Sequence, residues 1–93
     1  MAAKRSNGKV EAVDAARRAV EQLATLTGRP VEGVLGLRRG DDGWEVSVEL
    51  LELRRIPDST DVLASYDVAL DERGQLREYR RTRRYVRSRV EEE

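Results

Sequence analysis

Between Arg77 and Arg89 the chain carries seven arginines, at 77, 80, 81, 83, 84, 87 and 89, interleaved with Tyr79 and Tyr85. Guanidinium groups at that density can clamp carboxylates or phosphates through paired N–H donors, and the phenol rings add faces for stacking. Two smaller groupings could also do chemistry. Asp58 and Asp61 bracket Ser59-Thr60, an oxygen-rich set able to hold a divalent cation with help from carbonyls. Asp, Ser and Thr in such a run more often bond nearby backbone amides as a turn, and that structural role is the one expected here. Glu49 and Glu52 could form a carboxylate pair for acid–base work, yet strand glutamates facing arginines are the commoner case.

Other chemistry is excluded by residue type. The chain has no histidine and no cysteine, so it lacks the usual general base near neutral pH, the commonest zinc ligand and any thiolate nucleophile. Gly33-Val34-Leu35-Gly36 is too short to cradle a phosphate, and no glycine-rich loop ends in Lys-Ser or Lys-Thr. No catalytic, cofactor-binding or metal-binding residues are expected, and the chain reads as no enzyme.

The elements that position the arginines follow from hydrophobic periodicity. Val10, Val13, Ala16, Val20, Leu23 and Ala24 recur at helical spacing, with Ser6 or Asn7 available as a cap and Gly28 and Pro30 as a stop. Val31 to Leu37 predicts an irregular first strand, weakened by Gly33 and Gly36, and Gly40-Asp41-Asp42-Gly43 a turn. Trp44, Val46, Val48 and Leu50 then alternate with Glu45, Ser47 and Glu49, the pattern of a strand with one face on a core. At Leu50-Leu51 the phase slips, which predicts a bulge. Val62, Ala64, Tyr66, Val68 and Leu70 form a third alternating set, Asp71-Glu72-Arg73-Gly74 a hairpin, and Gln75 to Val86 the returning fourth strand. The expected fold is α+β, an N-terminal amphipathic helix packed on a four-stranded antiparallel β-meander. Its core would hold Trp44, Val46, Val48, Tyr66, Val68, Val20 and Leu23.

Ninety-three residues make one domain, assigned to 8–90, between a frayed tail 1–7 and an acidic tail 91–93. A chain of this size buries only roughly 60 to 70 per cent of its unfolded surface. Hydrophobic and charged residues each make up 39%, enough for two layers but not for a deep, dry cavity. There is no long apolar run and no apolar signal-peptide core, so no membrane partner and a cytoplasmic location are expected. The 18 basic and 18 acidic residues cancel, but half of the acids lie between Asp41 and Asp71, ahead of the arginine run. A net-neutral domain lacks the long-range field that steers polyanions, so nucleic acid is the disfavoured partner for the arginine strand.

Several segments together resemble one family: Gly43-Trp44 with Val46-x-Val48-Glu49; Glu52-Leu53-Arg54-Arg55-Ile56-Pro57-Asp58-Ser59-Thr60-Asp61-Val62-Leu63; Tyr66-x-Val68; Gly74-x-Leu76; and Tyr79-Arg80-Arg81-x-Arg83-Arg84-Tyr85. They are similar to the gas vesicle protein O family (GvpO), over roughly the last two-thirds of the chain. The resemblance implies a small, non-enzymatic accessory protein of gas vesicle assembly, acting by binding other gas vesicle proteins, shell or accessory, and found in the cytoplasm or associated with the vesicle. The alternative is a small nucleic-acid-binding or regulatory module using the Arg77–Arg89 strand.

The candidate partner interface is Arg80, Arg81, Arg83, Arg84 and Tyr85, with Asp58 and Asp61 of the loop as a second contribution. Alternation must send these arginines to both faces of the sheet, one set towards the core side, where it should snorkel past the sheet edge or meet a carboxylate, and one set outward. Simple alternation pairs Arg81 with Arg83 and Arg80 with Arg84. A glycine-broken first strand and an arginine-rich last strand keep the edges from pairing promiscuously, so a monomer or weak dimer is expected.

Overall fold

The structure, a computed structural model, describes residues 9–90. The two expected tails, and Ser6 and Asn7, lie outside the described residues. The chain runs α1 (Ala12–Thr27), β1 (Val31–Gly40), β2 (Gly43–Leu53), a 3-10 turn (Asp58–Thr60), β3 (Val62–Asp71), β4 (Leu76–Val86) and one last helical turn, α2 (Arg87–Val90). The strands pair antiparallel in chain order, β1-β2-β3-β4, and α1 packs on one face. This is the α+β meander read from the sequence.

The helix starts at Ala12 behind Glu11, which caps nothing through its side chain. Val10 is held outside it: its N–H donates to the Glu72 carbonyl at 2.9 Å, and its carbonyl accepts from Trp44 Nε1 at 3.3 Å. At the other end Gly28 takes φ 71° and donates to the Ala24 carbonyl, closing the last turn in the left-handed conformation. The buried row is Ala15, Ala19 and Leu23, about a quarter turn from where Val13 and Ala16 would place it, while Val20 and Leu23 of the expected row do meet the core. Val13 is 68% exposed. Alanines let the helix backbone approach the sheet closely, and Gln22 fixes the rotation by bonding the Gly74 carbonyl at 2.8 Å and the Leu76 N–H at 3.0 Å.

On the helix side of the sheet Val46, Val48 and Leu50 meet Val68 and Leu70, with Val10, Val20, Val31, Trp44, Tyr66 and Leu76 packed around them. Trp44 and Tyr66 are therefore on the core side, as their strand phase requires. Fully burying a side chain of leucine size is worth about 1.5–3 kcal/mol, so Leu23, Leu50 and Leu70 are a large part of what holds the layers together.

The expected bulge lies two residues on. Leu50 pairs with Ala64 and Leu51 with Leu63 in regular register, and Glu52 is the extra residue before Leu53. Leu50 and Leu51 are both buried, at 0% and 5% exposure, although they point to opposite faces of the sheet. Beyond β4 the chain crosses back there, and the Arg87 guanidinium joins Asp61 at 2.9 Å and Glu32, next to Val31 of β1, at 3.0 Å. Strand β1 carries two further shifts, at Glu32 and Leu35, so Val31, Val34 and Leu37 share the helix side at three-residue spacing instead of simple alternation.

Two glycines are required by the turns. A Cβ on Gly43 would collide with the Leu70 carbonyl oxygen. Gly74 has φ 87° in the β3–β4 hairpin, where Asp71 Oδ1 accepts the Arg73 and Gln75 N–H groups, each at 2.9 Å.

Candidate functional site

Strand β4 is one edge of the sheet, and its register decides what each arginine can reach. Arg80 pairs with Asp67, Arg81 with Tyr66, Arg83 with Ser65 and Arg84 with Ala64, and a register shift leaves Thr82 as the extra residue. The bulge changes the grouping expected from alternation. Arg81 and Arg84 share the helix side, while Arg80 and Arg83 share the outer face.

The inner pair converges on one carboxylate. Glu52 Oε1 lies 3.2 Å from Arg81 Nη1 and 3.2 Å from Arg84 Nε, and Oε2 accepts the Tyr66 hydroxyl at 2.8 Å. Arg29 adds a bond to the Glu52 backbone carbonyl at 2.6 Å. The Glu52 side chain is 7% exposed. Burial pushes its carboxyl up, but the Tyr66 hydroxyl and the charges of Arg81, Arg29 and Arg84 outweigh that and hold it below the ordinary glutamate value. Burial and the bond to Glu52 push the Tyr66 phenol up, so it stays a donor. The carboxylate expected for the inner set is thus Glu52, and the bulge that makes Glu52 the extra residue also aims it at β4.

The outer set has a different environment. The Arg83 guanidinium stacks 4.9 Å over the Tyr85 ring, and Tyr85 donates its hydroxyl to Glu49 with Ser65 alongside. Burial, then the bond to Glu49, pushes the Tyr85 phenol up. Asp67, opposite Arg80, is bonded to Ser47 at 3.0 Å. Among the described residues, Arg80 and Arg83 have no carboxylate within salt-bridge distance. Leu35, Glu49, Ser65, Arg83, Tyr85 and Val86 line one open depression near this end of the sheet.

Asp58 and Asp61 separate. Asp58 is exposed and opens the 3-10 turn, while Asp61 is 1% exposed and presents no surface to a partner. Its Oδ1 accepts the Arg55 N–H at 2.7 Å, and its Oδ2 meets Arg87. The Arg55 amide first, and then Arg87, hold its carboxyl below the ordinary aspartate value against the effect of burial. Asp61 was expected at the interface and is instead the internal pin of the loop, because its two oxygens are the partners that the loop amide and Arg87 need. Arg87 carries the other half of that pin, and only its place in the arginine run marked it in the sequence. Among the described residues no group of three or more His, Cys, Asp or Glu could hold a metal ion, and no helix is long and apolar enough to cross a membrane.

A family model described as "Gas vesicle synthesis protein GvpO" matches residues 1–91. "Gas vesicle protein O" of Streptomyces sp. (strain CB03234) is 53% identical over 73 residues, which is 78% of this chain and 57% of that protein. "Gas vesicle protein O1" of Halobacterium salinarum (strain ATCC 700922 / JCM 11081 / NRC-1) is 32% identical over 80 residues, 86% of this chain and 67% of that protein. "Gas vesicle protein O" of Haloferax mediterranei is 35% identical over 81 residues, 86% of this chain and 58% of that protein. The chain thus spans 57–67% of the length of these curated relatives. No solved structure matches the chain.

Proposed function

From the premise that the chain belongs to the gas vesicle synthesis protein GvpO family, we propose that it is a non-enzymatic accessory protein of gas vesicle assembly, acting by binding other gas vesicle proteins. The observation that supports binding most is the outer face of β4. Arg80 and Arg83 lie there on an uncovered strand face, and their inner neighbours Arg81 and Arg84 are committed to Glu52. Guanidinium groups on an open, rigid strand can take a partner's carboxylates in bidentate fashion at low conformational cost. The partner surface is acidic in this reading, and the protein works in the cytoplasm, or on the vesicle, as a monomer or weak dimer.

Pairwise binding to individually produced gas vesicle proteins tests the reading. The parent should bind at least one, and Arg80→Glu with Arg83→Glu should lose that binding while its melting curve is kept. Salt-sensitive retention on an immobilised oligonucleotide, with no binding to any vesicle protein, would favour the nucleic-acid module instead.

A further inference from the structure

Ile56 is 98% exposed, the most exposed of the large hydrophobic side chains among the described residues. It does not sit on a slack loop. The Thr60 N–H and hydroxyl both bond the Pro57 carbonyl, at 3.0 and 2.7 Å, and the Asp61 N–H bonds the Asp58 carbonyl at 2.9 Å. Buried Asp61 ties the loop's two ends together by accepting the Arg55 N–H, and it is tied in turn to Arg87 through its carboxylate and through its carbonyl, which accepts the Arg87 N–H at 2.8 Å. Arg87 then reaches Glu32. Five hydrogen bonds and an ion-pair relay thus hold a loop whose tip is an isoleucine standing in water.

A pre-organised apolar tip is how a binding anchor is built: ordering costs are met in folding, and contact then gains the full burial of the side chain. The surroundings give the kind of partner. Arg54 and Arg55, both exposed, immediately precede Ile56, against the one exposed carboxylate of the loop, Asp58, and Arg81 and Arg84 gather about Glu52 just upstream.

We infer that the loop 54–61 is an anchor, with Ile56 entering an apolar socket rimmed by carboxylates on a different protein. This rests on the proposed protein-binding function and names a contact point on it separate from Arg80 and Arg83.

The test places a photo-crosslinking residue in the full chain, Ile56→p-benzoylphenylalanine, in cells forming vesicles, with Asp42→p-benzoylphenylalanine in the β1–β2 turn as the control. Position 56 should crosslink to one other protein, at a peptide with apolar residues flanked by Asp or Glu, and position 42 should not. Crosslinks to lipid, to a second copy, or equally from both positions would overturn the anchor. In parallel, Ile56→Glu and Ile56→Ser should melt within about 3 °C of the parent, weaken the crosslinked partner's binding about tenfold or more and lose vesicles, while Ile56→Val keeps them. If Ile56→Glu forms vesicles normally while Arg80→Glu with Arg83→Glu does not, the anchor is wrong and the protein-binding function stands. Normal vesicles from both would overturn the two together.

Discussion

The division of the β4 arginines makes a sharp stability prediction. Replacing Arg81 and Arg84 by glutamate removes two contacts of 3.2 Å to Glu52 and puts like charge beside a carboxylate whose side chain is only 7% exposed. At 3.2 Å and an effective dielectric of about 20, each pair is worth roughly 5 kcal/mol before desolvation. Both guanidiniums are about half exposed, at 49% and 54%, so most of that is offset by solvent, and the net loss should be about 2–4 kcal/mol. In a domain this small each kcal/mol moves the melting temperature by about 4–8 °C, so the double variant should melt on the order of 10–25 °C below the parent. Arg80→Glu with Arg83→Glu changes the formal charge equally and should stay within about 1 kcal/mol. Circular-dichroism melts of both, at low salt and at about 0.5 M salt where exposed charges are screened, separate the local effect from the global one. Two curves that coincide within about 3 °C would refute the idea that the inner pair serves Glu52 and the outer pair does not.

Leu23→Ala, at a fully buried position under the sheet, should cost about 2–5 kcal/mol, read by urea denaturation; a change under about 1 kcal/mol would mean that α1 is not docked as described. Gly43→Ala should destabilise far more than Gly33→Ala, since a Cβ collides with backbone at 43 and meets nothing at 33; thermal melts of the pair decide it. Glu52, Asp61 and Asp71 all have lowered carboxyl values in the fold, against reference values of 4.5, 3.8 and 3.8. A depressed carboxylate contributes stability above its unfolded value and loses it as pH falls through the folded one, so the melting temperature should be level from neutral pH to about 5 and drop progressively below about 4. Glu52→Gln should flatten part of that acid slope, and an unchanged slope would contradict its role.

The elements and their pairing order were legible in the sequence because each alternating run faces one core, and the family resemblance read from the motifs agrees with the family match. What was not legible shares one physical origin. The phase slip at Leu50-Leu51 located the bulge at Glu52 to within two residues, but the extra residues Glu32, Leu35, Arg77 and Thr82 left no such slip to read, and the bulge at Thr82 alone regroups the arginines. The helix phase was legible to about a quarter turn: Val10, Val20 and Leu23 of the expected row meet the core, but alanine and valine rows both run along α1, and Gln22 meeting the β3–β4 turn region turns Ala15 and Ala19 inward and leaves Val13 exposed. The turn role expected for Asp61 is seen in its bond from the Arg55 N–H, but its burial was not legible, because its other partner, Arg87, is distant in sequence.

The most direct test of the central claim is vesicle formation in a host lacking this chain and supplied with Arg80→Glu and Arg83→Glu in a protein shown to be folded. Few or no vesicles should be seen by electron microscopy, with restoration by Arg80→Lys and Arg83→Lys at least in part. Normal vesicle numbers from the charge-reversed protein would contradict the claim that the outer arginines of β4 carry its work.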